Sequence, residues 1–303
     1  MPVLVAGTVA LDSIETPTAR KSNLLGGSAS YAALAASFGA PVQLCSIVGT
    51  DFPAQHLDFF RGKGIDTSCL QVEEGRTFRW SGRYFDDMNN RETLSVSIDV
   101  LEKFQPKLDA AARKASVVLL ANMSPENQLS VLRQADPEAY FIADSMDLWI
   151  NIAREALLEV LRQVDLFVIN EGEAKLFAET GNLITAGHRL RRLGPRQVVI
   201  KKGEHGAMLF GEGHFFSTTA FPLGEVADPT GAGDTFAGGI AGYLCGLNRR
   251  KDALTFVDIN RAIIQGTVLA SFACEEFSMD RLARLTPQEA DERREQFRTY
   301  TAF

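Results

Sequence analysis

The chain has 303 residues, of which 46% are hydrophobic and 23% charged, and its formal net charge is −7 at pH 7. This composition is typical of a globular protein, and the length allows one large α/β domain or two smaller ones with a sizeable core. The acidic balance, with no run of Lys or Arg, argues against nucleic acid or an anionic membrane as the main partner. A cytoplasmic protein is expected, because the sequence has neither a signal-peptide pattern nor a run of about 18 apolar residues.

Short apolar runs alternate with segments of helical periodicity along most of the chain. Such runs are typical of strands in a parallel sheet covered on both faces, and we predict strands at Val3–Gly7, Gln43–Val48, Val117–Ala121, Phe141–Asp144, Leu166–Asn170 and Val198–Lys201. The helical spacing predicts helices at Gly27–Phe38, Pro53–Lys63, Pro125–Ala135, Ile150–Val164, Glu171–Glu179, Gly187–Leu193, Asp234–Cys245, Lys251–Phe272 and Pro287–Phe297. This order of elements predicts a three-layer αβα fold with a mostly parallel central sheet.

Two segments interrupt the alternation. Arg76–Ile98 contains two extended stretches around the polar turn Asp86–Asn90, which indicates a hairpin. Ser13–Asn23 is too long for a tight connection between a strand and a helix. We predict that residues 13–25 and 76–98 form a small β-sheet, a lid on a single domain that spans residues 1–303. The alternative is that these residues form a surface segment without a functional role.

The most informative segment is Asp228-Pro229-Thr230-Gly231-Ala232-Gly233-Asp234. Its glycines precede a helical pattern, and a helix N-terminus offers free N–H groups and the positive end of the helix dipole to an anion such as phosphate. Asp234 would repel a phosphate, unless it accepts a proton from a group that attacks the phosphorus. The segment matches neither the Walker motif GxxxxGK[ST] nor the dinucleotide motif GxGxxG. From this segment alone, a purely structural turn is the alternative.

The same segment resembles the signature D-T/P-x-G-A-G-D of the ribokinase-like (PfkB) carbohydrate and nucleoside kinases. The resemblance implies the ribokinase-like αβα fold with a small β-sheet lid. It also implies that Asp234 is the catalytic base, and that the backbone N–H groups of Gly231, Ala232 and Gly233 form an anion hole for the phosphoryl group. Both roles agree with phosphoryl transfer, in which the protein mainly positions groups and stabilises charge.

Near the N-terminus, Gly26-Gly27 followed by a helix of small residues is similar to a second signature of this family. There the paired glycines let the backbone approach the substrate closely. Asp12 matches the acidic residue that holds substrate hydroxyls in the family, and a carboxylate suits a vicinal diol. Many members have asparagine where this chain has Tyr31, which leaves the identity of the substrate open.

Two further segments match the family's metal and nucleotide motifs. Asn170 and Glu173 fit its N-x-x-E motif, which implies that they help to place Mg²⁺ through waters. Lys201 and Gly203 occupy the place where the family contacts the nucleotide phosphates and ribose, and Asn260 is a candidate contact to adenine. An N-cap at Asn170 and a basic turn at Lys201 are the structural alternatives.

Three more residues carry open expectations. The family has monovalent-cation sites next to the glycine turn, and Asp228 is a candidate participant. Arg79 and Arg83 lie on one face of the first lid strand by the period of two, from which they could reach an anionic substrate group. Solvated surface charge is the alternative for both arginines.

The resemblance implies an ATP- and Mg²⁺-dependent enzyme that moves the γ-phosphate of ATP to a hydroxyl, primary in our expectation, of a sugar. A nucleoside kinase of the adenosine, inosine or cytidine type is the alternative within the family, because the lid contains aromatic residues that can stack on a base. A sensor that binds sugar or nucleotide without catalysis is the alternative from another class. The edge strands of the lid also suggest a homodimer formed through the lid.

Overall fold

Two β-sheets and the helices around the larger one account for most of residues 1–302, which the computed structural model describes. The strands are β1 (Val3–Ala6), β2 (Ala10–Glu15), β3 (Arg20–Gly26), β4 (Val42–Gly49), β5 (Ile65–Asp66), β6 (Leu70–Glu73), β7 (Arg79–Tyr84), β8 (Arg91–Ser97), β9 (Val117–Leu120), β10 (Tyr140–Asp144), β11 (Leu166–Asn170), β12 (Gln197–Lys201), β13 (Ala207–Phe210) and β14 (Phe215–Thr218). The helices are α1 (Ser28–Ala36), α2 (Ala54–Gly62), α3 (Pro125–Gln134), α4 (Asp147–Ile152), α5 (Arg154–Leu161), α6 (Glu171–Ala178), α7 (Leu183–Arg191), α8 (Ala232–Gly246), α9 (Phe256–Ala273), α10 (Asp280–Arg284) and α11 (Pro287–Thr301).

The larger sheet has the strand order β14-β13-β12-β11-β10-β9-β1-β4-β5, and β6 also pairs with β4. The strands from β12 to β5 pair in parallel, whereas β12, β13 and β14 form an antiparallel edge. Because the parallel strands point the same way, their carboxyl ends meet at one edge of the sheet. In open α/β sheets that edge is where ligands bind.

Both faces of this sheet are buried. Val3 and Val5 of β1 belong to a core cluster that includes α1, α8 and α9, whereas Leu4 and Ala6 belong to a second cluster on the opposite face that includes α3, α5 and α6. The alternation follows from the period of two along a strand. The prediction of a three-layer αβα fold with a mostly parallel sheet is confirmed.

The six predicted strands are all present, with ends that differ by one residue at most. The prediction of one helix over 150–164 was wrong, since the chain breaks at Ala153 (φ −135°) into α4 and α5. The hairpin β13–β14 was missed. The predicted helix at 251–272 begins later, at Phe256, where Thr255 caps its N-terminus.

Strands β2, β3, β7 and β8 form a second sheet, here called the small sheet, in the order β3-β2-β7-β8. Its two outer pairs are antiparallel and its central pair, β2 with β7, is parallel. Ile14 of β2 and Tyr84 of β7 pack against Phe277, which lies between α9 and α10. The small sheet therefore contacts the segment after α9 as well as the strand ends.

Close contact between α1 and α8 brings the two glycine segments together. A Cβ on Gly238 would lie 2.2 Å from the carbonyl oxygen of Ala32, and one on Gly242 would lie 2.4 Å from that of Ala36. Only glycine allows this approach, so the N-terminal ends of α1 and α8 lie side by side. Among the described residues, none of the helices combines the length and the hydropathy needed to cross a bilayer.

Candidate active site

Charged and polar side chains meet at the carboxyl ends of β10, β11 and β12. The ammonium of Lys201 donates a hydrogen bond to Asp144 Oδ2 at 3.1 Å, and Asn170 is the strand partner of Lys201. A Cβ on Gly233 would lie only 3.0 Å from Lys201 Nζ. The structure thus brings the lysine at the end of β12 directly against the glycine turn that begins α8.

The glycine turn has the geometry that its sequence suggests. Gly231 is the N-cap of α8 in the left-handed conformation, with φ +75°, and Asp234 lies in the first helical turn. The N–H of Ala232 donates to the carbonyl of Pro229 at 3.2 Å. Among residues 1–302 no acceptor is found for the N–H groups of Gly231 and Gly233, so the free donors here are these two rather than all three.

Asp234 is a carboxyl with an unusual proton affinity. Burial, and then repulsion from Asp144, raises its pKa to about 7, whereas the charges of Lys201 and Arg91 act in the opposite direction. A carboxyl with a pKa near neutrality can exchange a proton at neutral pH more readily than an ordinary aspartate. Burial alone would lower the pKa of Lys201, but the surrounding carboxylates, Asp144 first, raise it and keep the lysine charged.

Asp12 lies on β2 under the paired glycines. Its side chain is buried, its Oδ1 atom has no hydrogen-bond partner among residues 1–302, and a Cβ on Gly26 would lie 1.9 Å from its Oδ2 atom. Gly27 has φ +89°, and a Cβ there would lie 2.4 Å from the carbonyl oxygen of Thr8. The two glycines therefore leave room for the carboxyl group and for a close ligand.

Burial, with repulsion from Asp228 and Asp234, raises the pKa of Asp12 to about 7. Because the folded protein binds this proton more tightly, the stabilisation is fully present below the unfolded pKa of about 4 and is lost as the pH rises through about 7. We expect the free energy of unfolding of the unliganded protein to fall between pH 5 and pH 8. In the Asp12→Asn variant the fall should be smaller by on the order of 2 kcal/mol, as measured by urea denaturation. Equal falls in the two proteins would contradict this assignment.

Tyr31 connects the two glycine segments. Its ring lies against Gly231, where a Cβ would be 2.4 Å from the ring carbons, and its hydroxyl is buried without a partner. Burial raises the pKa of Tyr31 well above its usual range, with further contributions from Asp228 and Asp12. The residue that departs from the family pattern thus lies under the site, within the field of its carboxyl groups.

Asp228 holds the turn to its surroundings. Its Oδ1 accepts from the N–H of Thr230 at 2.9 Å and its Oδ2 from the N–H of Ser278 at 3.1 Å. Thr230 in turn donates its hydroxyl to Tyr84 of the small sheet at 3.1 Å. Both carboxylate oxygens of Asp228 therefore accept backbone hydrogen bonds. A monovalent cation next to Asp228 stays a prediction.

Asn170 and Glu173 form a capping box at the start of α6. The N–H of Glu173 donates to Asn170 Oδ1 at 2.9 Å, and the N–H of Asn170 donates to Glu173 Oε2 at 3.0 Å. Burial raises the pKa of Glu173 to about 7; Lys201 opposes the rise and Asp144 adds to it. The structural alternative therefore holds for Asn170, and it leaves one oxygen of Glu173 available to a ligand.

The two arginines predicted on the lid form ion pairs with nearby carboxylates. Arg79 contacts Asp51 at 2.9 Å, and Arg83 contacts Glu15 at 2.8 Å. Sequence reasoning missed Arg91, at the start of β8, whose charge acts on Asp234 and whose guanidinium lies 5.8 Å from the ring centroid of Trp80. Arg91 opens the second strand of the predicted hairpin, and nothing in the alternation shows that it faces the site.

The remaining nucleotide candidates lie apart from each other. Gly203 (φ +54°) is in the loop after β12, where a Cβ would be 3.0 Å from Asn89 Oδ1 at the tip of the β7–β8 hairpin. Asn260 lies near the N-terminus of α9. Its neighbour Asp258 pairs with Arg249, which follows the C-terminus of α8, whereas the glycine turn is at the N-terminus of α8. The structure does not bring Asn260 next to the glycine turn, and its contact to adenine stays a prediction.

Comparison with known proteins identifies the chain as an ATP-dependent kinase. The family model of the pfkB family carbohydrate kinases matches residues 10–281, and the chain belongs to that family. A cytidine kinase from Thermococcus kodakarensis is 30% identical over 251 residues, which cover 80% of this chain and 88% of that protein. A 2-dehydro-3-deoxygluconokinase from Thermoproteus tenax is 26% identical over 264 residues, 81% of this chain and 80% of that one. The crystal structure of a putative ribokinase II from E. coli in complex with ATP and Mg²⁺ has a TM-score of 0.78 at 17% identity, and the match covers 97% of this chain and 99% of that one.

Proposed function

We propose that this kinase transfers the γ-phosphoryl group of ATP to the primary hydroxyl of a sugar, with Asp234 as the base. The sugar is either free or part of a nucleoside, and the similarity to both a 2-dehydro-3-deoxygluconokinase and a cytidine kinase supports that range. The observation that carries the proposal is the position of Asp234. It lies one residue after a glycine turn with free N–H donors, and close enough to Asp12 for the two charges to interact.

The acceptor is held from the side of the small sheet. Asp12 has a buried oxygen without a partner, which accepts hydrogen bonds from sugar hydroxyls, and the backbone at Gly26 and Gly27 lies against the same ring. The hydroxyl to be phosphorylated points at Asp234. That carboxylate orients the hydroxyl and takes its proton as the bond to phosphorus forms.

The transferred phosphoryl group lies at the N-terminus of α8. The N–H groups of Gly231 and Gly233 and the helix dipole stabilise its charge, and Ala232 can join them by releasing its bond to Pro229. Lys201 adjoins Gly233 and supplies a full positive charge at the same place. Positioning and charge stabilisation of this kind are what a loose transition state requires.

The residues at the end of β11 fit Mg²⁺ that is held mainly by phosphate and water. Glu173 offers one free carboxylate oxygen at the strand-end edge, and among residues 1–302 no three His, Cys, Asp or Glu side chains cluster as a protein-only metal cage. Mg²⁺ keeps several waters and is commonly bound by one or two carboxylates together with substrate phosphates. Glu173 and Asn170 would hold it through waters, and the ion would neutralise charge on the phosphates of ATP.

The small sheet acts as a lid in this proposal. Its contacts already reach across the site, from Tyr84 on the turn residue Thr230 to Asn89, which donates to Glu204 in the loop after β12 at 3.3 Å. Closure excludes water and so limits hydrolysis of ATP. Arg91 is carried by the same sheet, and closure places its charge near the base and the phosphoryl group.

An acceptor screen tests the proposal. ADP formation is measured with ATP and Mg²⁺ over a panel of pentoses, hexoses, sugar acids and nucleosides, and the phosphorylated product is identified by mass spectrometry. ADP release that depends on one of these alcohols supports the proposal. ATP hydrolysis that is independent of every sugar and nucleoside would contradict it.

The exposed apolar residues of β8 predict a homodimer. Strand β8 is an edge strand, and Val96 within it and Ile98 just after it are 52% and 45% exposed. We expect a dimer at micromolar concentration in sedimentation experiments, and a monomer for Val96→Glu. Val257→Glu is the matched control, since Val257 on α9 is also 52% exposed, and it should stay dimeric. A monomeric wild-type protein would contradict the prediction.

A further inference from the structure

Trp149 is an aromatic side chain at the ligand-binding edge that has no role in the mechanism above. It lies on α4, shortly after the end of β10, and is partly exposed. Its indole N–H donates to Asn122 Oδ1 at 2.9 Å, and the amide of Asn122 donates to the sulfur of Met146 at 3.1 Å. These bonds fix the orientation of the ring and still leave part of its surface open to a ligand.

Asn122 also links Trp149 to the acceptor side of the site. The backbone carbonyl of Asn122 accepts a hydrogen bond from the hydroxyl of Ser28 at 3.0 Å, and Ser28 directly follows Gly27. Asn122 lies just after β9, which is the neighbour of β1, whereas Lys201 and Asn170 end strands on the other side of β10. The indole is therefore linked through Asn122 to the residue that follows Gly27 at the predicted sugar subsite.

The helices that carry Trp149 and Asp234 pack on opposite faces of the larger sheet. Asp234 belongs to α8, which packs on the sheet face of the first core cluster, whereas Ile150 anchors α4 in the second cluster on the opposite face. In a nucleoside, the primary hydroxyl and the base leave the ribose ring at opposite ends. With that hydroxyl at Asp234 and the ring hydroxyls at Asp12, the base would extend to the side on which Trp149 lies.

The surface next to the indole suits a flat, uncharged group. Leu148 and Ile152, four residues apart on α4, are both exposed. A free pentose ends before it could use such a surface, whereas a nucleobase has a face that stacks on an aromatic ring.

We propose that the indole of Trp149 is the stacking surface for the base of a nucleoside, so that the acceptor of this kinase is a nucleoside rather than a free sugar. The inference rests on the proposed function, because it takes the sugar subsite at Asp12 and Gly27 as given. Asn122 is a positioning residue in this arrangement, since it orients the indole without contact to the base.

Fluorescence tests the inference without turnover. The chain has two tryptophans, so the Trp80→Phe variant keeps Trp149 as its single indole reporter. We expect saturable quenching by cytidine or inosine, and no quenching by ribose at the same concentration. Quenching by ribose to the same extent, or by ADP alone, would overturn the inference, as would no response to any nucleoside.

Kinetics provide the second measurement. Trp149→Ala should raise KM for the nucleoside by about 10- to 100-fold, because stacking of one base has that value, with kcat within a few-fold of wild type. Trp149→Phe keeps an aromatic face and should retain KM within a few-fold. Efficient phosphorylation of free sugars with unchanged KM values in Trp149→Ala would overturn this inference and leave the proposed kinase function intact. If instead the proposed kinase function were wrong, no alcohol would stimulate ADP formation, so the two failures can be distinguished.

Discussion

Replacement of Asp234 by asparagine should lower kcat by about 10²- to 10⁴-fold, the usual contribution of a general base, and leave the binding of ATP nearly unchanged. Asparagine has almost the same shape but cannot accept the proton of the attacking hydroxyl. The raised pKa of about 7 makes the wild-type side chain a base of suitable strength at neutral pH. Initial rates of ADP formation and calorimetric titration with ATP measure the two quantities.

The variant also removes a negative charge from a crowded site. Asp234 interacts with Asp144, and its loss should therefore stabilise the protein or leave its stability unchanged. Asp58→Asn is the matched control, because the Asp58 carboxylate on α2 is 76% exposed and, within residues 1–302, pairs only with Arg61. Wild-type kcat in Asp234→Asn would exclude the base role, and a similar loss in Asp58→Asn would show that the assay reports something other than the site.

The larger sheet was predictable because its strands are buried on both faces. Such strands are continuous apolar runs, and the predicted strands at Val117–Ala121 and Leu166–Asn170 differ from the observed ones by no more than one residue. The break between α4 and α5 was not predictable in the same way. No glycine or proline marks Ala153, and the helical periodicity continues through it, so only tertiary packing ends the first helix there.

The candidate site was predictable in its main parts for a different reason. Gly27, Lys201 and Asp234 each lie next to the end of a strand or the start of a helix, and parallel topology brings such positions to one edge, whereas Asp12 lies within β2 of the small sheet. Their partners could not be read from the sequence. Tyr31 under Gly231 is a contact across 200 residues, and it depends on the close packing of α1 on α8.

Side-chain pairing was the least predictable feature. The period of two placed Arg79 and Arg83 on one face correctly, but it could not show that Asp51 and Glu15 would accept their charges. The period of two also did not indicate that the charge of Arg91 would act on Asp234. The orientation of Trp149 likewise depends on Asn122, which follows β9 and is distant in sequence, and no local pattern predicts that hydrogen bond.

Substitution of Gly231 by alanine tests the glycine turn, and here we expect the second large effect. At φ +75° an alanine is strained, and its Cβ would lie 2.4 Å from the ring of Tyr31, a buried side chain that cannot move away freely. The turn must shift, and its N–H donors would move from the positions that the phosphoryl group requires. Because the loss of a single such donor costs about 10²- to 10³-fold in kcat, we expect at least about a 10²-fold decrease, together with a lower melting temperature.

The control for this substitution is the same change at a glycine without constraint. Gly224, seven residues earlier, has no left-handed φ, and a Cβ there would meet no atom within 4 Å. Gly224→Ala should keep wild-type kcat and stability. In the double variant Gly231→Ala/Tyr31→Ala the collision is gone but the strained φ remains, so partial recovery of kcat would separate the two causes. If Gly231→Ala alone kept kcat within a few-fold of wild type, the turn would not be the binding site of the transferred phosphoryl group, and Asp234 would lose the anion site on which its role as base depends.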